Sequence, residues 1–325
     1  MTPRLRFCLA FFLTTACAHS PREVERAPVA DLHQHLFGPG TLELSPSLPR
    51  VVARDLIRLL DSAGIRRALV LSVAYQFSNP NRPPFADEYA RVKAENDWTA
   101  AQASEFPDRL LAFCGVNPVR DYALEEIARC AADPRLRSGL KLHIGNSDVN
   151  FEDSVHLERV RAVFRAANAN RMAIVLHLRP SVTRQRPYGE RIARIFLTEV
   201  IGEAPDVPIQ IAHMGGAGLL NDPPADEALE FFVRAIAEND ARMRNVYFDV
   251  SGISGVGSSP EISARLATRI RQLGPRRVVF GSDAAVRGNS PMFSLTAFRK
   301  VPLSKSELTI IVENVPPYLR GGNIR

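Results

Sequence analysis

The sequence predicts an α/β protein of the (β/α)8 TIM-barrel class, and three observations carry that prediction. Short β-branched apolar runs recur eight times along the 325 residues, separated by longer amphipathic segments rich in Glu, Arg and Ala. The runs are apolar on both faces, as expected of parallel strands covered by helices outside and packed against a core inside. From the fourth run on, the last polar residues are Lys141, His177, His213, Asp249 and Asp283. Their spacings are 36, 36, 36 and 34 residues, each about one strand–helix unit.

Taken in order, the first 18 residues stand apart from this pattern. Arg4 and Arg6 give a positive start, "FCLAFFL" is a short apolar run, and "TACA" offers small residues for cleavage. That is the layout of an export signal peptide. The apolar run is too short to span a bilayer, which takes about 20 apolar residues. Two cuts fit. One is an A-x-A site at Ala16 and Ala18; the other is a lipobox-like "LTTAC", with Cys17 lipidated and Thr14 where a leucine is usual. Both imply export, either to the periplasm or to a lipid-anchored position in a bacterial cell envelope. A lipid on Cys17 is the only membrane attachment expected, because no second long apolar run follows.

The remaining chain, residues 19–325, reads as a single barrel domain. Strands are expected at 28–33, 67–75, 110–116, 138–143, 173–178, 208–214, 245–251 and 277–283, with helices over 86–105, 122–132, 155–170, 187–203, 226–240 and 260–273. No linker splits this alternation. An open doubly wound sheet is the competing arrangement, but no Gly-rich phosphate loop follows any strand.

Composition narrows the function classes. Hydrophobic residues make up 46% and charged residues 23%, which fits a packed globular core and not a disordered chain. Without its leader the chain holds 39 Lys and Arg against 35 Asp and Glu, a net +4, scattered along helices with acids between them. No basic stripe with interleaved aromatics is present, so nucleic acid is not an expected partner. Cys8 and Cys17 belong to the leader. Cys114 falls on a strand and Cys130 on a helix; an oxidising compartment would permit a disulfide, yet no pattern indicates one, and buried free thiols are expected.

The chemistry concentrates at strand ends. "DLHQH" places His33 and His35 two residues apart, hence on one face of a strand. Barrel active sites are built at the carboxyl ends of strands. Two imidazoles from the first strand, a third from His177 and the carboxylate of Asp283 make a suitable set for one divalent ion, zinc or a similar borderline metal. Such an ion lowers the pKa of bound water from 15.7 to about 7. Asp283 is then placed to take the water's proton, and His213 to polarise a carbonyl or position the water. Asp249 is expected to be structural, holding a loop or a ligating histidine. His19 and His156 receive no role, and Trp98 is read as a packing residue.

In order along the chain, "DLHQH", "GLKLH", "IVLHL", "IAHMGG" and "VVFGSDA" resemble the amidohydrolase superfamily. More narrowly, they resemble the amidohydrolase-related branch that includes aminocarboxymuconate semialdehyde decarboxylase and assorted hydrolases. "ENDWTAAQASEFPDRLLAFCGVNP" is similar to that branch's segment leading into its third strand, and "IVENVPPYL" to its carboxyl-terminal Asn-containing helix, at Asn314. The resemblance runs from about residue 29 to 319. It implies one metal at His33, His35, His177 and Asp283, with His213 catalytic. A binuclear arrangement, with Lys141 and His213 serving a second metal, is formally open; one metal is preferred. His143 would face the substrate.

The expected activity is metal-dependent hydrolysis of an amide, lactone or ester. The alternative is nonoxidative decarboxylation of an unsaturated or aromatic acid on the same metal set. A non-catalytic binding barrel would predict lost ligands, and none is lost. The substrate is expected to be a small molecule, and oligomerisation is compatible with the sequence. Loops 75–85 and 179–189 are the expected substrate contacts, and their Arg82, Arg179 and Arg184 would suit an acidic one.

Overall fold

The computed structural model describes residues 26–253, 258–285 and 288–320, so Cys17 and the export-type leader lie outside the described residues. Its strands are β1 (Ala30–Gln34), β2 (Arg67–Leu71), β3 (Leu110–Gly115), β4 (Gly139–His143), β5 (Ala173–His177), β6 (Ile209–Ile211), β7 (Val246–Asp249) and β8 (Val278–Val279). All neighbours pair in parallel and in chain order. Two backbone hydrogen bonds, Leu32 N to Phe280 O at 2.9 Å and Asp283 N to His33 O at 2.8 Å, bring the last strand back to the first. The result is the (β/α)8 barrel that the strand spacing predicts.

Helices α1 (Pro39–Leu44) and α2 (Ala53–Ser62) follow β1, and α3 (Glu88–Ser104), α4 (Ala123–Ala132), α5 (Ser154–Ala169) and α6 (Glu190–Ile195) follow β2 to β5. After β6, β7 and β8 come α7 (Pro223–Ala237), α8 (Pro260–Leu273) and α9 (Pro291–Phe298), and α10 (Lys305–Glu313) and α11 (Pro317–Arg320) close the described chain. Side-chain caps mark several starts. Asp153 accepts from the amides of Val155 and His156, and Ser304 pairs with Glu307 in a capping box. The helical stretch expected over 187–203 is α6 continued by one π turn and one 3-10 turn.

Strand parity divides the core. Leu140, Leu142, Ile174 and Leu176 join the layer between sheet and helices, whereas Leu69, Leu71, Phe113, Val175 and Val279 fill the interior with Tyr318 and Leu319 of α11. The carboxyl-terminal helix thus plugs the interior from the end opposite the histidines.

Several strands end earlier than the sequence implies. β6 stops at Ile211 and β8 at Val279, because His213, Met214 and Asp283 adopt left-handed backbone (φ 53°, 50° and 52°) that leaves the ladder. The expectation of free thiols is corrected: Cys114 and Cys130 are joined by a disulfide, with 6.3 Å between their Cα atoms. Both cysteines are buried in the layer between sheet and helices, which brings the two into bridging distance.

Candidate metal centre

The site begins with an irregularity in β1. Ala30 and Leu32 pack in the barrel interior, yet His33 and His35 enter it too, which strict alternation forbids. The register shift between Asp31 and Gln34 resolves this: it is a bulge that changes which face the later residues present. Asp31 braces it. Its carboxylate accepts from Ser282 N at 2.9 Å and Gln34 Nε2 at 2.7 Å, tying the β1 end to the β8 loop. Burial pushes the Asp31 carboxyl up to about 6, although these hydrogen bonds oppose the shift. Gly281 is required by the same close approach, since a Cβ there would lie 2.8 Å from the Cβ of His33.

Around this bulge, two groups of donor atoms each fall within 4.8 Å of one another: His33 with His35 and Asp283, and His33 with His213 and Asp249. His177 faces the same cavity outside these two groups, with its ring 5.0 Å from that of His213 and stacked 3.9 Å from that of His143. His33, His35, Lys141, His143, His177, His213 and Asp283 therefore all open on one cavity of about 320 Å³ at the carboxyl ends of the strands.

Hydrogen bonds behind the rings set their tautomers. His33 Nδ1 stands 3.0 Å from Asp249 Oδ2, His35 Nδ1 2.7 Å from Leu71 O, and His213 Nδ1 2.8 Å from Ser251 O. A carboxylate or a carbonyl can only accept, so each ring carries its proton on Nδ1 and presents a bare Nε2 lone pair. Asp249 also accepts from the backbone N of His213 at 2.9 Å, and Ser251 Oγ, within 3.1 Å of both His33 and His213 Nδ1, donates to Asp249. The expected role of Asp249, holding a histidine, is what the geometry displays.

The electrostatics match this arrangement. Burial, with Lys141 nearby, pushes His33 down to about 3, and burial with His33 nearby does the same for His213. Burial likewise holds His35, His143 and His177 well below the usual imidazole range. Burial alone would raise Asp249, but His33, His213 and Ser251 together hold its carboxyl far below the usual range. Burial lowers the Lys141 ammonium to about 8 against the opposing pull of Asp249 and Asp283, and its Nζ sits 3.3 Å from His33 Nε2. Neutral imidazoles with free Nε2 lone pairs beside a carboxylate are the donor chemistry that borderline divalent cations take. The residues fit a metal. Both His213 and Lys141 border the same cavity, so the groups for a second ion are also present.

The loop arginines behave differently from one another. Arg82 lines the cavity, but its guanidinium donates to Leu44 O and, at 2.9 Å, to Ser45 Oγ, bracing the end of α1. Arg179 does not line the cavity: its Nε is held 2.7 Å from Asp222 and its guanidinium lies 4.8 Å above the Tyr188 ring, because that acid lies at the start of α7. Arg184 clasps Asn81 and Pro80 O and thereby joins the two loops. Sequence reasoning missed Ser251 and Gln210. Ser251 sits two residues past Asp249, a same-face spacing that a strand reading could have used. Gln210, which donates to Asp249 Oδ2 at 2.7 Å and to Leu32 O at 3.1 Å, carried no such signal.

A parallel barrel with histidines and a carboxylate converging at its strand ends defines the class of metal-dependent barrel enzymes. The amidohydrolase family model matches residues 31–303, and the chain belongs to that family. Its fold is similar to that of 5-carboxyvanillate decarboxylase from Sphingomonas paucimobilis, with 18% identity, a TM-score of 0.61, and 88% of this chain covering 97% of that one. A dihydroxybenzoic acid decarboxylase from Polaromonas, with bound manganese and the inhibitor 2-nitroresorcinol, is 16% identical with a TM-score of 0.59, over 89% of this chain and 95% of that one. A zinc-bound amidohydrolase from Burkholderia multivorans is 17% identical with a TM-score of 0.54, over 88% of this chain and 96% of that one. No curated protein matches the sequence.

Proposed function

We propose that the protein is a metal-dependent, nonoxidative decarboxylase of a small unsaturated or aromatic carboxylic acid. One observation carries this reading: beside the donor set the same cavity offers one apolar and aromatic wall, with Phe37, Leu44, Leu48, Val73 and Tyr75, and polar side chains, among them Gln76, Arg82 and Asn146, that can meet the oxygens of an acid. A flat acid would lay its ring against the apolar wall and direct its carboxylate toward His33, His35 and Asp283. The likeness of the fold to two decarboxylases of aromatic acids supports the same choice.

His33, His35, His177 and Asp283 would hold one divalent cation, zinc or manganese, with Lys141 and His213 available to a second. When bound, the cation supplies positive charge that orients the acid and stabilises negative charge developing on it. In the reaction the bond from the ring carbon to the carboxyl carbon breaks, carbon dioxide leaves, and the electron pair left on the ring carbon takes a proton. Asp283 is the group assigned to relay that proton: it takes a proton from solvent or from the entering acid, passes it to the ring carbon and returns to the carboxylate that would help hold the cation. With its proton on Nδ1, His213 cannot donate from Nε2 to a carbonyl, and its bare Nε2 is left to accept a hydrogen bond or a proton.

Purified protein loaded with zinc or manganese is expected to release carbon dioxide from at least one member of a panel of hydroxylated benzoates. Hydrolysis of an amide, lactone or ester, with no carbon dioxide from any acid, would overturn the reading. Metal analysis is expected to give about one ion per chain, and a value near two would place the second ion at Lys141 and His213. We also place the protein outside the cytosol; the export-type leader and the Cys114–Cys130 disulfide support this.

A further inference from the structure

His143 departs from the tautomer pattern of its neighbours. His33, His35 and His213 each turn Nδ1 toward an acceptor, whereas His143 Nδ1 lies 3.1 Å from the backbone N of Asn146. A backbone amide only donates, so this Nδ1 must accept and carries no proton. The neutral ring then bears its hydrogen on Nε2. The turn that supplies the amide is held by Ser147 N bonding to His143 O at 3.0 Å and Val149 N to Ile144 O at 3.1 Å. The ring is stacked on His177, 3.9 Å away and inclined by 13°, with Tyr75 at 5.1 Å. Rotating the ring by half a turn would put a carbon against the Asn146 amide and forfeit that bond.

We infer that His143 is a specificity-determining residue and not a metal ligand: its Nε2–H is a fixed donor that selects substrates with an oxygen acceptor beside the group held at His33, His35 and Asp283. A carboxylate, phenolate or carbonyl oxygen would satisfy it; a purely apolar substituent at that place would cover the N–H and leave it unpaired. The inference rests on the proposed function for where the substrate lies, but the tautomer itself does not.

The test has two arms. In protein labelled with ¹⁵N-histidine, with the His143 signals identified by their absence in His143→Gln, a bare Nδ1 and a protonated Nε2 are expected with and without zinc. A proton on Nδ1, or loss of bound zinc in His143→Gln, overturns the assignment whatever the substrate is. The second arm titrates salicylate, a carboxylate with an adjacent phenolic oxygen, into the zinc-loaded protein. His143→Leu is expected to weaken binding about tenfold or more, while His143→Gln, which can place an amide N–H near the Nε2 position, is expected to recover most of the loss. Equal binding by wild type and His143→Leu, or no recovery by Gln in a folded, zinc-loaded protein, overturns the donor role. A wild-type protein that binds no salicylate but shows the Nε2–H tautomer counts against the aromatic-acid reading and supports the assignment at His143.

Discussion

Asp249 accepts from His33, from Gln210 and from the His213 amide, so a single carboxylate orients two of the cavity's histidines. Replacing it with asparagine keeps its size but removes one acceptor oxygen, and His33 Nδ1 or the Gln210 amide then faces another donor. Asp249→Asn is expected to lower zinc affinity by about 10- to 100-fold, read by competition with a chelator, while the far-UV spectrum stays native. Unchanged affinity would show that His33 does not depend on Asp249 for its orientation. Glu95 gives a separate prediction. It is buried on α3, and burial pushes its carboxyl up to about 7 against the opposing pull of the Thr41 side chain. Between about pH 4.5 and 7 the folded state therefore binds more protons at Glu95 than the unfolded state, and its contribution to stability falls as pH rises. Glu95→Gln is expected to flatten that part of the stability–pH curve and to stabilise the protein at pH 8. A parallel curve with no gain would assign the slope to other groups.

At the scale of elements, β3 and α4 are tied by the Cys114–Cys130 bridge, closed over 16 residues of sequence. Replacing both cysteines with alanine is expected to cost about 2–4 kcal/mol, measured as a lower midpoint in urea. An unchanged midpoint would mean that the packing of strand and helix alone holds this unit. The same elements show what a linear reading can and cannot reach. Eight strands were legible because parallel strands buried on both faces must be written as short apolar runs. Their ends were not, since left-handed turns at His213 and Asp283 are imposed by the crowded barrel mouth and not by local propensity. The bulge in β1 was also hidden: "DLHQH" alternates correctly from His33 to His35, and the break in parity lies one residue earlier.

The whole molecule links the two ends of the barrel. The hydroxyl of Tyr318 on α11 donates to Gln210 Oε1, Gln210 Nε2 donates to Asp249, and Asp249 accepts from His33. The plug is therefore hydrogen-bonded, through two side chains, to the candidate metal centre. Tyr318→Phe leaves the Gln210 oxygen unpaired in the core and is expected to cost about 1–3 kcal/mol in thermal or urea unfolding. If it also loosens Asp249, zinc affinity will fall in step; stability loss without any change in affinity would confine the plug to a packing role. By itself the sequence determined the barrel and the strand at whose end each donor lies, because hydrophobic period and residue spacing survive in one dimension, and its motifs carried the resemblance to the family. Only the tertiary structure decided which nitrogen of each histidine faces the cavity, that Arg179 belongs to Asp222, and that two cysteines meet. Those outcomes depend on distances of a few ångströms between elements far apart in the chain, and no periodicity records them.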